Sequence, residues 1–153
     1  YRFCDRDIRR RMYRNMMSGA LGHTYGHQSV WCFKDKADGE YIYGWRVALD
    51  RPMAETVGNI NRLSEIVDLL SAVPSDLAHG ALGCTGTDYA MVYVEDANPV
   101  FIDLKNRYNV KKALWFDPVS GEKEETEINT NHMTVFSPYG HDAVLLLLFG
   151  QQP

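Results

Sequence analysis

Val144-Leu145-Leu146-Leu147-Leu148-Phe149 is an uninterrupted apolar run, and its reading decides the fold. From Ala143 it is far too short to cross a bilayer, and it lacks the alternation of a strand with one wet face. It is therefore expected to be a central strand buried on both faces. The segments before it read as its antiparallel neighbours. Asp88 to Val94 is a strand, and Ala97-Asn98-Pro99 is turn-like. Val100, Ile102 and Leu104 alternate with Phe101 and Asp103. Val110 to Phe116 and Glu122 to Ile128 flank Asp117-Pro118-Val119-Ser120-Gly121, which suits a hairpin turn closing through a bulge. Glu122, Glu124, Glu125 and Glu127 mark the second hairpin strand as an exposed edge. With Met133 to Phe136, about five strands result, and a small β-sandwich fits them.

Working outward, residues 1–78 carry 11 Lys+Arg against 10 Asp+Glu, whereas residues 79–153 carry 5 against 10. The pattern of periodicity changes at the same place, which puts a boundary near Val73-Pro74-Ser75. The first part reads as helix, strand-like segment, loop and helix. Asp5 or Asp7 can cap a helix running to about Ser18, with Gly19 and Gly22 at its exit. Arg2, Arg6, Arg9, Arg10, Arg11 and Arg14 crowd this helix, and a solvated or ion-paired face explains them better than a nucleic-acid site. Gly22 to His27 reads as a strand end or loop, leading into Gln28 to Phe33. Met53, Val57, Ile60, Leu63, Val67 and Leu70 then define an amphipathic helix of about five turns, with Asp50 or Arg51 near its cap and Pro52 near its first turn.

The 153 residues, 45% hydrophobic and 24% charged, exclude a disordered tail, a collagenous rod and a coiled coil. A net charge of −4 offers no general attraction to nucleic acid. Cys4, Cys32 and Cys84 show no Cys-x-x-Cys spacing and read as small buried hydrophobes. The chain opens Tyr1-Arg2-Phe3-Cys4, with neither an initiator Met nor a signal-peptide pattern, so a piece of something longer is expected.

His23, Thr24, Tyr25, His27 and Trp31 form the densest chemical candidate. Aromatic faces cover the C–H surfaces of a sugar while His and Tyr bond its hydroxyls, so these residues suit a sugar-binding wall. The same histidines would equally serve local backbone groups at a buried strand end, and the residues alone leave both readings open. A zinc site is not expected: His23 and His27 are four apart, but Gly22 and Gly26 argue against the helix that spacing requires, and Thr24 stands where His-Glu-x-x-His needs its Glu. Asp35, Asp38 and Glu40 read as solvated charge in a polar loop rather than as a glycosidase pair.

The stretches Arg9-Arg10-Arg11-Met12-Tyr13, Ser18-Gly19-Ala20-Leu21-Gly22-His23-Thr24-Tyr25-Gly26, Trp31, and Trp45-Arg46-Val47-Ala48-Leu49-Asp50-Arg51-Pro52 resemble the last barrel segments of apiosidase-like glycoside hydrolases. Tyr89-Ala90-Met91-Val92-Tyr93-Val94, Trp115-Phe116-Asp117-Pro118-Val119-Ser120-Gly121, Phe136-Ser137-Pro138 and Asp142-Ala143-Val144-Leu145 are similar to that family's C-terminal β-domain, which carries a collagen-binding label. Met16-Met17 in place of leucines, and the link from Gly80 to Gly86, depart from the family pattern.

The resemblance implies an α+β chain: residues 1–74 as the last units of a (β/α)8 barrel and residues 75–153 as an antiparallel β-sandwich. In such barrels the active site lies on the C-terminal face. The catalytic carboxylates would lie upstream of Tyr1, so none is carried over, and the chain alone would be inactive. His23, Tyr25 and His27 would line the sugar site with Trp31 beside them. An oligosaccharide or polysaccharide, of plant or host origin, and the remainder of the barrel are the implied partners. No cofactor, metal, nucleic acid or membrane is expected, and a bacterial periplasmic or secreted location is implied. The alternative is a non-catalytic module that binds carbohydrate or matrix protein through Trp115 and Tyr139, although Trp115 reads more naturally as core.

Overall fold

The computed structural model describes residues 3–105, 109–128 and 132–150. Its helices are α1 (Asp5–Met17), α2 (Gln28–Trp31), α3 (Trp45–Leu49) and α4 (Pro52–Ser64), followed by a 3-10 turn, Leu69–Ser71. The described strands are β1 (Val73–Ser75), β2 (Ala78–His79), β3 (Leu82–Thr85), β4 (Tyr89–Val94), β5 (Val100–Asp103), β6 (Val110–Phe116), β7 (Lys123–Thr126), β8 (His132–Val135) and β9 (Ala143–Phe149). The architecture is α+β with antiparallel sheets.

The apolar run is β9, and it lies inside a six-stranded sheet of order β1-β3-β4-β9-β6-β7. Successive side chains of a strand point to opposite faces. Val144 and Leu146 therefore enter one core with Met12, Tyr13 and Met17 of α1 and Leu63 of α4. Ala143, Leu145 and Leu147 enter the other, against Val100, Ile102 and Val135 of the three-stranded sheet β2-β5-β8. One strand thus joins a helical layer and a second sheet. Edge strand β7 carries Glu124 and Glu125 exposed, as its charge requires.

Several local expectations are corrected. Gln28–Trp31 is a single helical turn, not a strand-like segment, because His27 caps it. Among the described residues no strand lies between α1 and β1. The apolar stripe from Met53 to Leu70 is not one helix: α4 stops at Ser64, and the Asp68 side chain starts the separate 3-10 turn by accepting from the Leu70 N–H. Arg51, not Asp50, stands at the cap of α4 with Pro52 first in the helix. Cys4 is the residue that caps α1, and the Asp7 carboxylate accepts from its N–H. The described strands number nine rather than about five, because β1, β2 and β3 are two to four residues long and too short to show a period. Cys4 and Cys32 are exposed, and only Cys84 is buried, its Sγ 3.3 Å from Met17 Sδ.

Arg6, Arg9, Arg10 and Arg14 of α1 are ion-paired with the β half, while Arg11 lies over the Phe3 ring. Arg6 meets Asp96; Arg10 (2.6 Å) and Arg14 both meet Glu95; Arg2 lies outside the described residues. Arg14 and Arg10 hold the Glu95 carboxyl down at about 2. Arg9 is the buried member. Its Nε donates to Asp142 Oδ2 at 2.8 Å, a second nitrogen donates to Oδ1, and Tyr93 Oη donates to Oδ2 at 2.8 Å. Asp142, immediately before β9, is wholly buried. Tyr13 stacks on Tyr93 with centroids 4.9 Å apart.

At the opposite end of the helical layer, Asn59 Nδ2 donates to Val119 O (2.8 Å) and Arg62 donates to Ser120 O (3.0 Å). Both bonds seize the β6–β7 turn, where Gly121 has φ of +75° and any Cβ would collide with Asn59 and Arg62. Removing one partner of a buried pair strands the other charge. Asp142→Ala is therefore expected to destabilise the fold by about 3–5 kcal/mol, measured by urea denaturation. A midpoint close to wild type would contradict this account.

Candidate functional site

The segment between α1 and α4 carries the polar aromatic residues. His27 is extended and caps α2: the Ser29 N–H donates to His27 Nδ1 at 3.2 Å. An Nδ1 that accepts leaves the neutral ring's proton on Nε2, free to donate outward. Burial, and then the Arg51 charge, push the His27 pKa below its ordinary value. The His27 ring stands edge-on to Tyr43, centroids 6.0 Å apart.

Arg51 organises the group. It donates to Tyr43 Oη at 2.6 Å, lies over the Tyr43 ring at 4.8 Å, and pairs with Asp5 of α1. Burial raises the Tyr25 pKa, with Asp5 acting in the same direction and Arg51 against it. Tyr25 is thus a neutral hydroxyl beside a compensated ion pair. Tyr25, His27, Tyr43, Arg51 and Asp5 therefore share one electrostatic neighbourhood, with donors and acceptors suited to a polyhydroxylated ligand.

His23 is placed elsewhere. It lines a cleft of about 400 Å³ with Met12 and Met16 of α1 and Val57 and Ile60 of α4. Trp31 ends α2 with 86% of its surface exposed. Of the four residues expected at the sugar site, His23, Tyr25, His27 and Trp31, the structure brings Tyr25 and His27 together by Asp5 and Arg51. Asp5, Tyr43 and Arg51 are members that sequence reasoning missed. Asp5 and Arg51 were read as helix-end residues, and they meet only because α1 and α4 pack side by side.

The acidic loop supplies no free carboxylate pair. Asp38 accepts from the backbone N–H groups of Glu40 and Tyr41, both at 2.8 Å, and pairs with Lys34, which brings its pKa to about 2. Asp35 accepts from Trp45 and Arg46. Among the described residues, no three His, Cys, Asp or Glu side chains gather as a metal site would need. Trp115 is 4% exposed and belongs to the core between the sheets, while Tyr139 stacks on His141. A flat platform of Trp115 with Tyr139 does not exist.

The first half of the chain, residues 1–71, matches the family model described as "Apiosidase-like, catalytic domain". Residues 70–148 match "Putative collagen-binding domain of a collagenase". No curated protein matches the chain. A solved structure titled "Glycoside hydrolase" is similar over 100% of this chain and 38% of its own, with TM-score 0.86 and 25% identity. A glycoside hydrolase family 5 structure from Bacteroides vulgatus ATCC 8482 is similar over 97% of this chain and 37% of its own, with TM-score 0.85 and 24% identity. The chain thus spans less than two fifths of these solved structures.

The lowered pKa of His27 has a stability consequence. Because the folded state resists protonation, the unfolded chain takes up the proton first, so stability falls as pH drops below about 6.5 toward the folded-state value. NMR titration is expected to show His27 titrating below about 6.5. His27→Ala should flatten the loss of unfolding midpoint over that window. An unshifted His27 resonance would contradict the half-buried, Arg51-facing placement.

Proposed function

We propose a function from one premise: the chain belongs to the collagen-binding-domain family that its residues 70–148 match, and its residues 1–71 match the apiosidase-like catalytic domain. The chain is the C-terminal part of a glycoside hydrolase. Residues 1–74 supply the closing units of a (β/α)8 barrel, and residues 75–153 form the β-domain that buttresses them. The complete enzyme cleaves a glycosidic bond in a plant-type or host polysaccharide, and the carboxylates that act as acid and as base or nucleophile come from upstream strands.

The observation that carries this reading is the uneven covering of apolar surface. The β half leaves Phe101, Val119 and Phe136 exposed, whereas the barrel-matching half leaves more, with Leu21, Ile42, Val47, Leu49 and Leu70 all more than half exposed. Such a concentration of bare apolar side chains marks a surface that other protein covers. The polar group at Tyr25 and His27 lies in that same segment. There, His27 Nε2–H donates to a sugar hydroxyl, and the Tyr25 hydroxyl, protonated at neutral pH, accepts or donates. Arg51, neutralised by Asp5, holds the Tyr43 ring that backs His27. Trp31, exposed at the end of α2, lies in the same segment, while His23 faces the separate cleft between α1 and α4.

Two outcomes test the reading. The isolated chain is expected to turn over no aryl-glycoside or oligosaccharide, because on this reading both catalytic carboxylates come from upstream strands. In the polypeptide extended upstream, Tyr25→Phe is expected to lower kcat/KM by about 1–3 kcal/mol equivalent, the loss of one polar contact. Turnover by the isolated chain would overturn the assignment of the carboxylates, and an unchanged kcat/KM would return Tyr25 to a structural role.

A further inference from the structure

We propose that residues 22–27 are a β-strand without a partner in this chain, and that a strand from the remainder of the complete enzyme adds to its edge; this rests on the glycoside hydrolase reading above. The segment has a strand's period. Along Gly22-His23-Thr24-Tyr25-Gly26-His27 half-buried and exposed residues alternate, with His23, Tyr25 and His27 on the covered side. The chain passes through these six residues without a turn or bend, and His27 is extended at φ of −107° and ψ of 128°. A run of that length spans about 20 Å.

Two helices cover one face of it. His23 lies with Met12 and Met16 of α1 and with Val57 and Ile60 of α4, well inside each helix. Two residues on, Tyr25 feels the charges of Asp5 and Arg51, at the helix starts. The segment therefore runs antiparallel to the α1–α4 pair and packs along it. Its other face is bare: a Cβ on Gly22 or Gly26 would meet no atom within 4 Å. The edges are bare as well. Among the described residues, none hydrogen-bonds to the backbone N–H or C=O groups of residues 21–26. Edges that stay open in a finished fold are guarded by charge or proline, as β7 is by Glu124 and Glu125. Residues 20–28 contain no Asp, Glu, Lys, Arg or Pro. An unguarded edge of this kind is a template for a further strand.

The occupant follows from the layers. A strand that lies between two helices in sequence and packs on both belongs to a helix-covered sheet, and such sheets are parallel. The partner is thus an extended, apolar segment of the enzyme's own polypeptide, parallel to residues 22–27 and covered by a helix of its own. This chain spans less than two fifths of the solved glycoside hydrolases it resembles, so the greater part of such an enzyme lies outside it. Tyr25 and His27 are carried on this strand. Pairing its edges fixes both side chains relative to the upstream carboxylates, and the polar group becomes a binding site only in the assembled enzyme.

The test compares amide hydrogen exchange of residues 20–28 in the isolated chain and in the polypeptide extended upstream, with turnover of aryl-glycosides by the latter as a separate readout. Exchange is expected to be unprotected in the isolated chain and about 100-fold slower in the extended polypeptide. Thr24→Pro removes one ladder N–H, and Thr24→Ala keeps it. Thr24→Pro is expected to leave the Tm of the isolated chain unchanged and to lower that of the extended polypeptide by clearly more than Thr24→Ala does. Equal losses for the two variants would overturn strand addition. Protection already present in the isolated chain would show the segment pairing with a second copy or within the chain, and would also overturn it. Rapid exchange in an extended polypeptide that turns over a glycoside would overturn strand addition and leave the glycoside hydrolase reading standing. Protection without turnover would do the reverse, and rapid exchange without turnover would remove both.

Discussion

A buried ion pair sets the terms for the whole molecule. Arg9 on α1 and Asp142 at the start of β9 are both withdrawn from water, so each needs the other in nearly ideal geometry. Two guanidinium N–H bonds and the Tyr93 hydroxyl meet that need, and the Tyr13 ring closes over Tyr93. A shift of α1 by one residue would leave a bare charge in a hydrophobic core. The register of the helix on the sheet is thereby fixed as firmly as a strand register is fixed by its pleat.

From that constraint the remaining packing follows. With α1 held, Arg6, Arg10 and Arg14 fall opposite Asp96 and Glu95, and the basic start of the chain is neutralised by its acidic second half. The charge asymmetry that suggests two separate pieces is the complementarity of two layers sharing one core. Helix α4 is clamped at its side by Asn59 and Arg62 against the hairpin turn. Both helices are thus held by the β half, which gives that half a mechanical role: the loop from Gly22 to Arg51 hangs from two fixed helices. The Arg51–Asp5 pair ties the end of that loop back to the start of α1. A polar group that must hold a ligand to within a fraction of an ångström needs such a frame.

The legibility of the molecule in its sequence divides by range. The double burial of β9, the hairpin at Asp117 to Gly121 and the charged edge at β7 follow from patterns within a few residues, and the structure contains each of them. The two- to four-residue strands β1, β2 and β3 were invisible because segments so short carry no periodicity. Helix α4 was over-extended because Val67 and Leu70 continue the apolar spacing, while the break depends on one carboxylate, Asp68, bonding its own backbone. At the candidate site, the composition of Gly22 to Trp31 marked the segment, and Tyr25 and His27 emerge together. His23 parts from them because it faces the cleft between α1 and α4, whereas Tyr25 and His27 face the Arg51–Asp5 pair.

What the sequence determined by itself is the longer strands of the β layer, since such a strand's environment is written in its own alternation or in the lack of it. It also determined the kind of chemistry available: polar aromatics beside glycines, with no phosphate loop or nucleophile elbow. Tertiary structure alone decided the rest. Asp5 and Arg51 are 46 residues apart and Arg9 and Asp142 are 133 apart, so no local pattern announces either pair. It also decided that Trp115 is core and that Phe33 is exposed, because burial belongs to the packing of layers and not to the identity of a residue.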